Sequence, residues 1–170
     1  MSALLHVLPP EEALQSVVEL RLPNRLATGV VALSGGRCGL DQGGPPGGDG
    51  SAVDTRRWLS GVGREQAPLF LELWKADARH QGSRSASRMA EVSRLRTRAA
   101  AELRAGVPLS VADLALGGKD VLALLPGVPG RQVGEALRLL VEEVLEDPER
   151  NTRAHLSERL RGWWSARPFP

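Results

Sequence analysis

The hydrophobic positions of this chain recur mostly at intervals of three and four residues, the spacing that places apolar side chains on one face of an α-helix. Within residues 11–33 this spacing, broken at Pro23, predicts two short helices. From Val53 the helical pattern resumes and continues. The pattern therefore predicts an all-α protein in which a multi-helix body is followed by a helical tail.

One segment near the N-terminus lacks any such pattern. Glycine and proline make up more than half of the residues from Ser34 to Ser51. Because no side-chain burial offsets the ordering entropy of glycine, we expect a flexible loop or linker there. The predicted organisation is an N-terminal helical segment at 1–33, a linker at 34–52, a helical body at 53–106 and a helical tail at 107–170.

The body is predicted to contain a core helix between Pro68, typical of a first helical turn, and Gly82, just past the end. The spacing predicts one apolar face on this helix, made of Leu69, Leu73 and Ala76. Phe70 and Trp74 flank that face. This helix is therefore expected to be buried against the rest of the body.

The next predicted helix, Ala86 to Ala105, combines an apolar side with many arginines. Its predicted apolar side comprises Met89, Val92, Ala99 and Leu103. The basic residues on and just before it are Arg84, Arg88, Arg94, Arg96, Arg98 and Arg104, against only Glu91 and Glu102. Two interpretations stay open: a solvated outer face, or a track for nucleic-acid phosphates whose binding weakens steeply with salt.

The tail is predicted to contain a long amphipathic helix from Gly130 to Glu146 that ends before Pro148. We expect it to pack against a short helix, Lys119 to Leu125, across a hairpin-like turn at 126–130. Glycines precede both helices, and free N–H groups at a helix N-terminus favour phosphate. The predicted apolar face of the long helix is Val133, Ala136, Leu137, Leu140, Val141, Val144 and Leu145. Trp163 and Trp164 are expected to fold back as a terminal anchor rather than to stack on a base.

Composition and charge narrow the function classes. The 170 residues carry a net charge of only +2, but all except two of the 22 basic residues are arginine, whose planar fork suits phosphate. Arginine richness indicates RNA or DNA, although a G- and C-rich genome would produce it equally well. Aromatic residues make up 4% with no tyrosine, which argues against a single-strand binder built on stacking.

Candidate catalytic and metal-binding groups are sparse. The single cysteine, Cys38, excludes a disulfide scaffold and indicates a cytoplasmic location. His6, His80 and His155 are far apart, without cysteines or carboxylates at ligand spacing. We therefore predict no catalytic residue, no metal site and no cofactor in this chain, and no apolar run is long enough for a membrane span.

The segment LLPGVPGRQVGEAL, at residues 124–137, resembles the helix-hairpin-helix motif, in which backbone amides of a glycine-bearing hairpin hold DNA phosphates without reading sequence. This chain has Gly127-Val128-Pro129-Gly130 where that family has Gly-x-Gly. The resemblance implies a sequence-nonspecific DNA-binding module.

A longer resemblance covers about residues 54–160. Its tail residues are Asp113-Leu114-Ala115, Gly118-Lys119-Asp120-Val121-Leu122, Pro129-Gly130, Val133-Gly134, Leu137, Leu140, Val144-Leu145 and Asn151. Its body residues are Arg57-Trp58-Leu59, Leu69 to Leu73, Ala76-Asp77-Ala78 and Gly82. Together they resemble the C-terminal body and tail of bacterial tRNA nucleotidyltransferases, the CCA-adding enzymes and poly(A) polymerases. The resemblance implies an all-helical module that holds the acceptor stem and T-arm of tRNA by their backbone.

The catalytic head of that family is missing from this sequence. The head carries an Asp-x-Asp pair that binds Mg²⁺ for nucleotidyl transfer, and no Asp-x-Asp occurs here. The chain is therefore predicted to be inactive alone, with Mg²⁺ expected only with a catalytic head. Its expected partners are tRNA or structured RNA and either a separate head domain or further copies of this chain. A third alternative is a degenerate paralogue that only docks on another protein. The predicted RNA phosphate-binding residues are Arg84, Arg88, Arg94, Arg98, Gly118, Lys119, Gly130 and Arg131.

Overall fold

The computed structural model describes residues 50–79 and 82–166, and the all-α prediction is confirmed for them. The helices predicted within 11–33, and the linker up to residue 49, lie outside the described residues. Helix makes up 79% of the described part, with no strand in it. Its α-helices are α1 (Ala52–Val62), α2 (Ala67–Arg79), α3 (Ser85–Ala105), α4 (Gly118–Leu124), α5 (Gly130–Glu146) and α6 (Arg153–Ser165). Short 3-10 turns span Gly82–Arg84, Val111–Asp113 and Pro148–Arg150.

The chain divides into two compact units between Ala105 and Gly106. The boundary expected from the sequence pattern lies one residue later, between 106 and 107. We call the described residues of the first unit the body (50–79 and 82–105) and those of the second the tail (106–166). The body contains α1 to α3, and the tail contains α4 to α6. Each unit is described by itself below.

The body packs α3 against both α1 and α2. Helix α1 begins at a capped end, because the Ser51 side chain accepts a hydrogen bond from the Asp54 N–H at 3.0 Å. The aromatic centre of the core joins α1 to α2, with the rings of Trp58 and Trp74 5.5 Å apart. A buried Arg56 on α1 pairs with Glu102 on α3 at 3.8 Å.

The apolar face predicted for α2 is wrong. Leu69 is 45% exposed, whereas the two residues expected to flank the face, Phe70 and Trp74, are 1% and 2% exposed. The buried positions of α2 are Ala67, Phe70, Leu71, Trp74 and Ala78. Apolar residues cover more than one stripe of this helix, so three-to-four spacing is satisfied on two overlapping faces. Contact with α1 and α3 selects the face that carries the larger aromatic rings.

In α3 the buried positions are Val92, Leu95 and Ala99. Val92 and Ala99 were predicted, Leu95 was not, and the predicted Met89 and Leu103 are only half-buried.

The tail is built around α5, whose bounds match the predicted Gly130–Glu146. Helix α4 begins at Gly118 and ends at Leu124, each one residue earlier than predicted. Both α4 and α6 pack against α5. The buried residues of this core are Leu116, Val121, Leu125, Val128, Ala136, Leu140, Val144, Leu156 and Leu160. The turn between α4 and α5 places Gly127 at φ +86°, a left-handed conformation that favours glycine.

Side-chain hydrogen bonds connect the start of the tail to the segment between α5 and α6. The Asn151 side chain accepts from the Ala115 N–H at 2.8 Å and donates to the Asp113 carbonyl at 2.9 Å. Trp163 and Trp164 pack, partly buried, against the tail core, as the anchor interpretation requires.

Candidate nucleic-acid interface

Basic charge is concentrated in one part of the molecule. Residues 50–105 contain eleven Lys and Arg against six Asp and Glu. Residues 106–170 contain eight basic against nine acidic side chains, and residues 1–49 contain three against five. The overall net charge of +2 therefore conceals a strongly basic body segment between two mildly acidic ones.

The basic side chains of the body surround α3 instead of forming one stripe. Successive residues of an α-helix are rotated by about 100°, so Arg94 and Arg96 point in nearly opposite directions. Both are exposed, and so is Arg84 in the 3-10 turn that precedes the helix. These three guanidinium groups are exposed, as is that of Arg104 near the end of α3, whose Nε donates to the Ala100 carbonyl at 3.1 Å.

Two other predicted phosphate ligands already bind groups within the body. Arg88 Nη1 lies 3.0 Å from Glu91 Oε2, one turn along α3. Arg98 is half-buried and donates from Nη1 to the carbonyl of Gly50, which precedes α1. These contacts position both side chains, and a phosphate would have to compete with them.

The first predicted glycine-bearing terminus, at Gly118 and Lys119, is occupied by a carboxylate. Asp120 Oδ2 accepts from the Gly117 N–H at 2.9 Å, and Asp120 Oδ1 pairs with Arg153 at 2.5 Å. The hydrogen bond from Gly117, followed by the one from Arg153, holds the pKa of Asp120 below its usual range. An anion there would meet this carboxylate. Lys119 itself is exposed.

Gly118 lies opposite α5. A Cβ built on it would lie 3.6 Å from Val133 Cγ1, an ordinary van der Waals distance, so the packing of α4 on α5 does not require glycine there. The sequence-based interpretation of this glycine as a phosphate contact stays a prediction.

The second predicted terminus, at Gly130 and Arg131 where α5 begins, is more accessible to an anion. Pro129 precedes α5 and provides no side-chain cap, and both Gly130 and Arg131 are exposed. Of the eight predicted residues, four arginines thus belong to the body and four residues to the two helix starts of the tail.

Two features of the structure were missed by sequence reasoning. One is a cleft of about 140 Å³ between α2 and α3, lined in part by Lys75 and Arg96. The other is Glu143 on α5, which contacts Arg150, His155 and Arg159 at 2.6, 3.3 and 3.0 Å. Both combine residues from different helices, so periodicity along one helix carries no signal for them.

The Glu143 cluster joins α5 to the segment that follows it. Burial raises the pKa of Glu143, but hydrogen bonds from Arg159, Arg150 and His155 outweigh burial and lower that pKa to about 2. The carboxylate is therefore ionised at neutral pH and holds three side chains from the 3-10 turn and α6. In the described residues no group of three His, Cys, Asp or Glu is arranged to hold a metal ion.

None of the helices in the described ranges is long and apolar enough to cross a membrane. No protein-family model, curated protein or solved structure matches this chain. The resemblance to tRNA nucleotidyltransferases therefore stands on the residues quoted for it. Several of these, including Asp120 and Asn151, make structural hydrogen bonds within the tail.

Proposed function

We propose that this chain is an RNA-binding module that holds the sugar–phosphate backbone of structured RNA on the body. The observation that carries the proposal is the excess of eleven basic over six acidic residues between 50 and 105, with Arg84, Arg94 and Arg96 exposed. Each guanidinium that neutralises a phosphate releases a counterion, which drives binding without reading sequence.

The RNA class follows from the resemblance. A tRNA acceptor stem and T-arm form an A-form duplex, which proteins recognise by shape, phosphates and 2′-hydroxyls more than by base edges. In this proposal the chain acts as the body and tail of a tRNA nucleotidyltransferase-like protein in the cytoplasm. A catalytic head with its Mg²⁺ ions would belong to another polypeptide, and this chain would catalyse nothing alone.

The contribution of each predicted residue differs. Arg84 and Arg94 are the proposed primary phosphate contacts, with Arg96 a further contact on another side of α3, while Arg88 and Arg98 support the surface through Glu91 and Gly50. In the tail, Arg131 beside Gly130 is the proposed accessory contact, because Asp120 places negative charge beside Lys119 and Gly118. The near-neutral charge of the tail favours the body as the main binding surface.

The proposal is tested by titrating the chain against a tRNA acceptor and T-arm minihelix and against a B-form DNA duplex of equal length, each at several salt concentrations. We expect tighter binding to the RNA. Replacing Arg84, Arg94 and Arg96 with Gln should weaken binding and reduce the slope of log K against log salt by about 1 per residue.

Arg138→Gln combined with Arg161→Gln is the matched control, because both arginines are exposed on helices of the tail. This double variant should change affinity by less than twofold. Equal affinity for the two duplexes would support the helix-hairpin-helix alternative instead. Absence of binding to either would overturn the proposal in favour of a protein-docking module.

A further inference from the structure

A cleft lies between α2 and α3 on the body. Its floor is apolar, with Leu71 and Val92 7% and 4% exposed and Met89 half-buried. The complete lining is Leu71, Glu72, Lys75, Met89, Val92, Ser93 and Arg96, and the volume is about 140 Å³.

The size of the cleft restricts what it can hold. Pockets for drug-sized ligands have volumes of roughly 300–1,000 Å³, whereas an apolar cavity of about 150 Å³ holds a single benzene ring. A volume of about 140 Å³ therefore admits one six-membered aromatic ring and excludes a large cofactor.

The charges that line the cleft favour an anionic group attached to such a ring. Lys75 Nζ lies 3.6 Å from Glu72 Oε2, a solvent-accessible pair with Lys75 half-buried and Glu72 exposed, in which a phosphate can replace the carboxylate. Arg96 is exposed, and the described residues show no ion pair for it. Glu72 opposes an anion, but its side chain is 64% exposed and free to turn into solvent.

We propose that this cleft takes the base of one unpaired pyrimidine nucleotide of the bound RNA, with the adjacent phosphate held by Lys75 and Arg96. This inference rests on the proposed RNA-binding function. A pyrimidine nucleotide carries a six-membered ring on a ribose that also bears a phosphate, so the ring can meet the apolar floor while the phosphate meets the two cations. Proteins stack unpaired bases on aromatic side chains or on arginine guanidinium planes, and Arg96 is one of the residues that line the cleft.

The experiment compares three RNA hairpins that share one stem: a blunt stem, the stem with one dangling uridine, and the stem with a dangling abasic nucleotide. The dangling uridine should tighten binding about fivefold over the blunt stem, the lower end of what base stacking contributes. The abasic nucleotide carries the same phosphate without the ring and should give less than a twofold gain.

Ser93→Phe fills the cleft from its rim and should abolish the gain from the uridine without changing the affinity for the blunt stem. Ala90→Phe is the matched control, because Ala90 is exposed on α3 and does not line the cleft. It should retain the fivefold gain. Circular dichroism checks folding, and Ser93→Leu replaces Ser93→Phe if the larger side chain disrupts the body.

The outcomes separate this inference from the proposed function. If no hairpin binds, the proposed function fails and the inference with it. If the blunt stem binds but the uridine adds nothing, or the abasic nucleotide adds as much, the inference alone is overturned. A uridine gain that survives Ser93→Phe also overturns it. An acidic helical peptide would overturn the inference as well, if it binds the wild-type chain, does not bind the Ser93→Phe variant and does not compete with RNA.

Discussion

At the scale of single residues, Glu143 in the tail contacts three basic side chains. Its side chain is 14% exposed and contacts Arg150 and Arg159 through separate carboxylate oxygens. His155 shares the oxygen that Arg150 contacts. Removing donors from such a carboxylate destabilises the fold more than breaking an exposed ion pair does, because it leaves a largely buried charge without partners.

This geometry predicts a specific dependence of stability on pH. The pKa of Glu143 falls from 4.5 to about 2 on folding, because its three donors outweigh burial. A lowered folded-state pKa contributes stability that is present above pH 4.5 and is lost as the pH falls through about 2. The contribution is at most about 3 kcal/mol at neutral pH, from about 1.4 kcal/mol per pKa unit.

Urea unfolding of wild type and Glu143→Gln at pH 7 and pH 3 tests this prediction. The difference in unfolding free energy should be at most about 3 kcal/mol at pH 7, and its value at pH 3 should be less than half of its value at pH 7. Glu158→Gln is the control, because Glu158 is exposed on α6, and its effect should be small at both pH values. An equal effect of Glu143→Gln at both values would contradict the prediction.

At the scale of elements, α2 shows how neighbours choose between possible faces. Its sequence, APLFLELWKADAR, places apolar residues on more than half of the helix. The face that includes Leu69 and Leu73 satisfies helical periodicity as well as the face that includes Phe70 and Trp74. Aromatic packing decides between them, because Trp74 meets both Phe70 and Trp58 in the core.

Truncations on the two faces of α2 should therefore differ strongly. Trp74→Ala removes a side chain that is 2% exposed and should destabilise the protein by about 3–5 kcal/mol. Leu69→Ala, on the exposed face, should cost less than about 1 kcal/mol. Denaturant unfolding monitored by circular dichroism measures both values, and a larger effect at Leu69 would contradict the observed packing.

At the scale of the whole molecule, the division at residues 105 and 106 separates two units of different charge. The tail has its own core, with six of its residues fully excluded from solvent: Leu116, Val121, Ala136, Leu140, Leu156 and Leu160. A unit of this size buries a smaller fraction of its surface than a larger domain, so its stability is modest. The basic body carries the proposed RNA surface.

A fragment that spans residues 106–170 should fold without the body. We expect a helical circular dichroism spectrum, a cooperative urea transition with a slope of about 1 kcal/mol per molar, and a stability of about 3–5 kcal/mol. The fragment should bind the RNA minihelix far more weakly than the full chain. A non-cooperative melt would show that the tail core depends on the rest of the chain.

The sequence by itself determined the helical class and the bounds of α5. These features depend on local signals: three-to-four spacing, Pro129 ahead of the helix and Pro148 behind it. Local backbone chemistry acts over a few residues, so it can be recognised without knowing what a helix packs against.

Only the tertiary structure decided which face of α2 is buried and which predicted ligands stay accessible. Arg98 reaches Gly50, and Asp120 pairs with Arg153, across 48 and 33 positions in sequence. The cleft beside Arg96 requires α2 and α3 together. Side chains from separate elements meet only after packing, and the free energy of those contacts has no counterpart in the periodicity of any one helix.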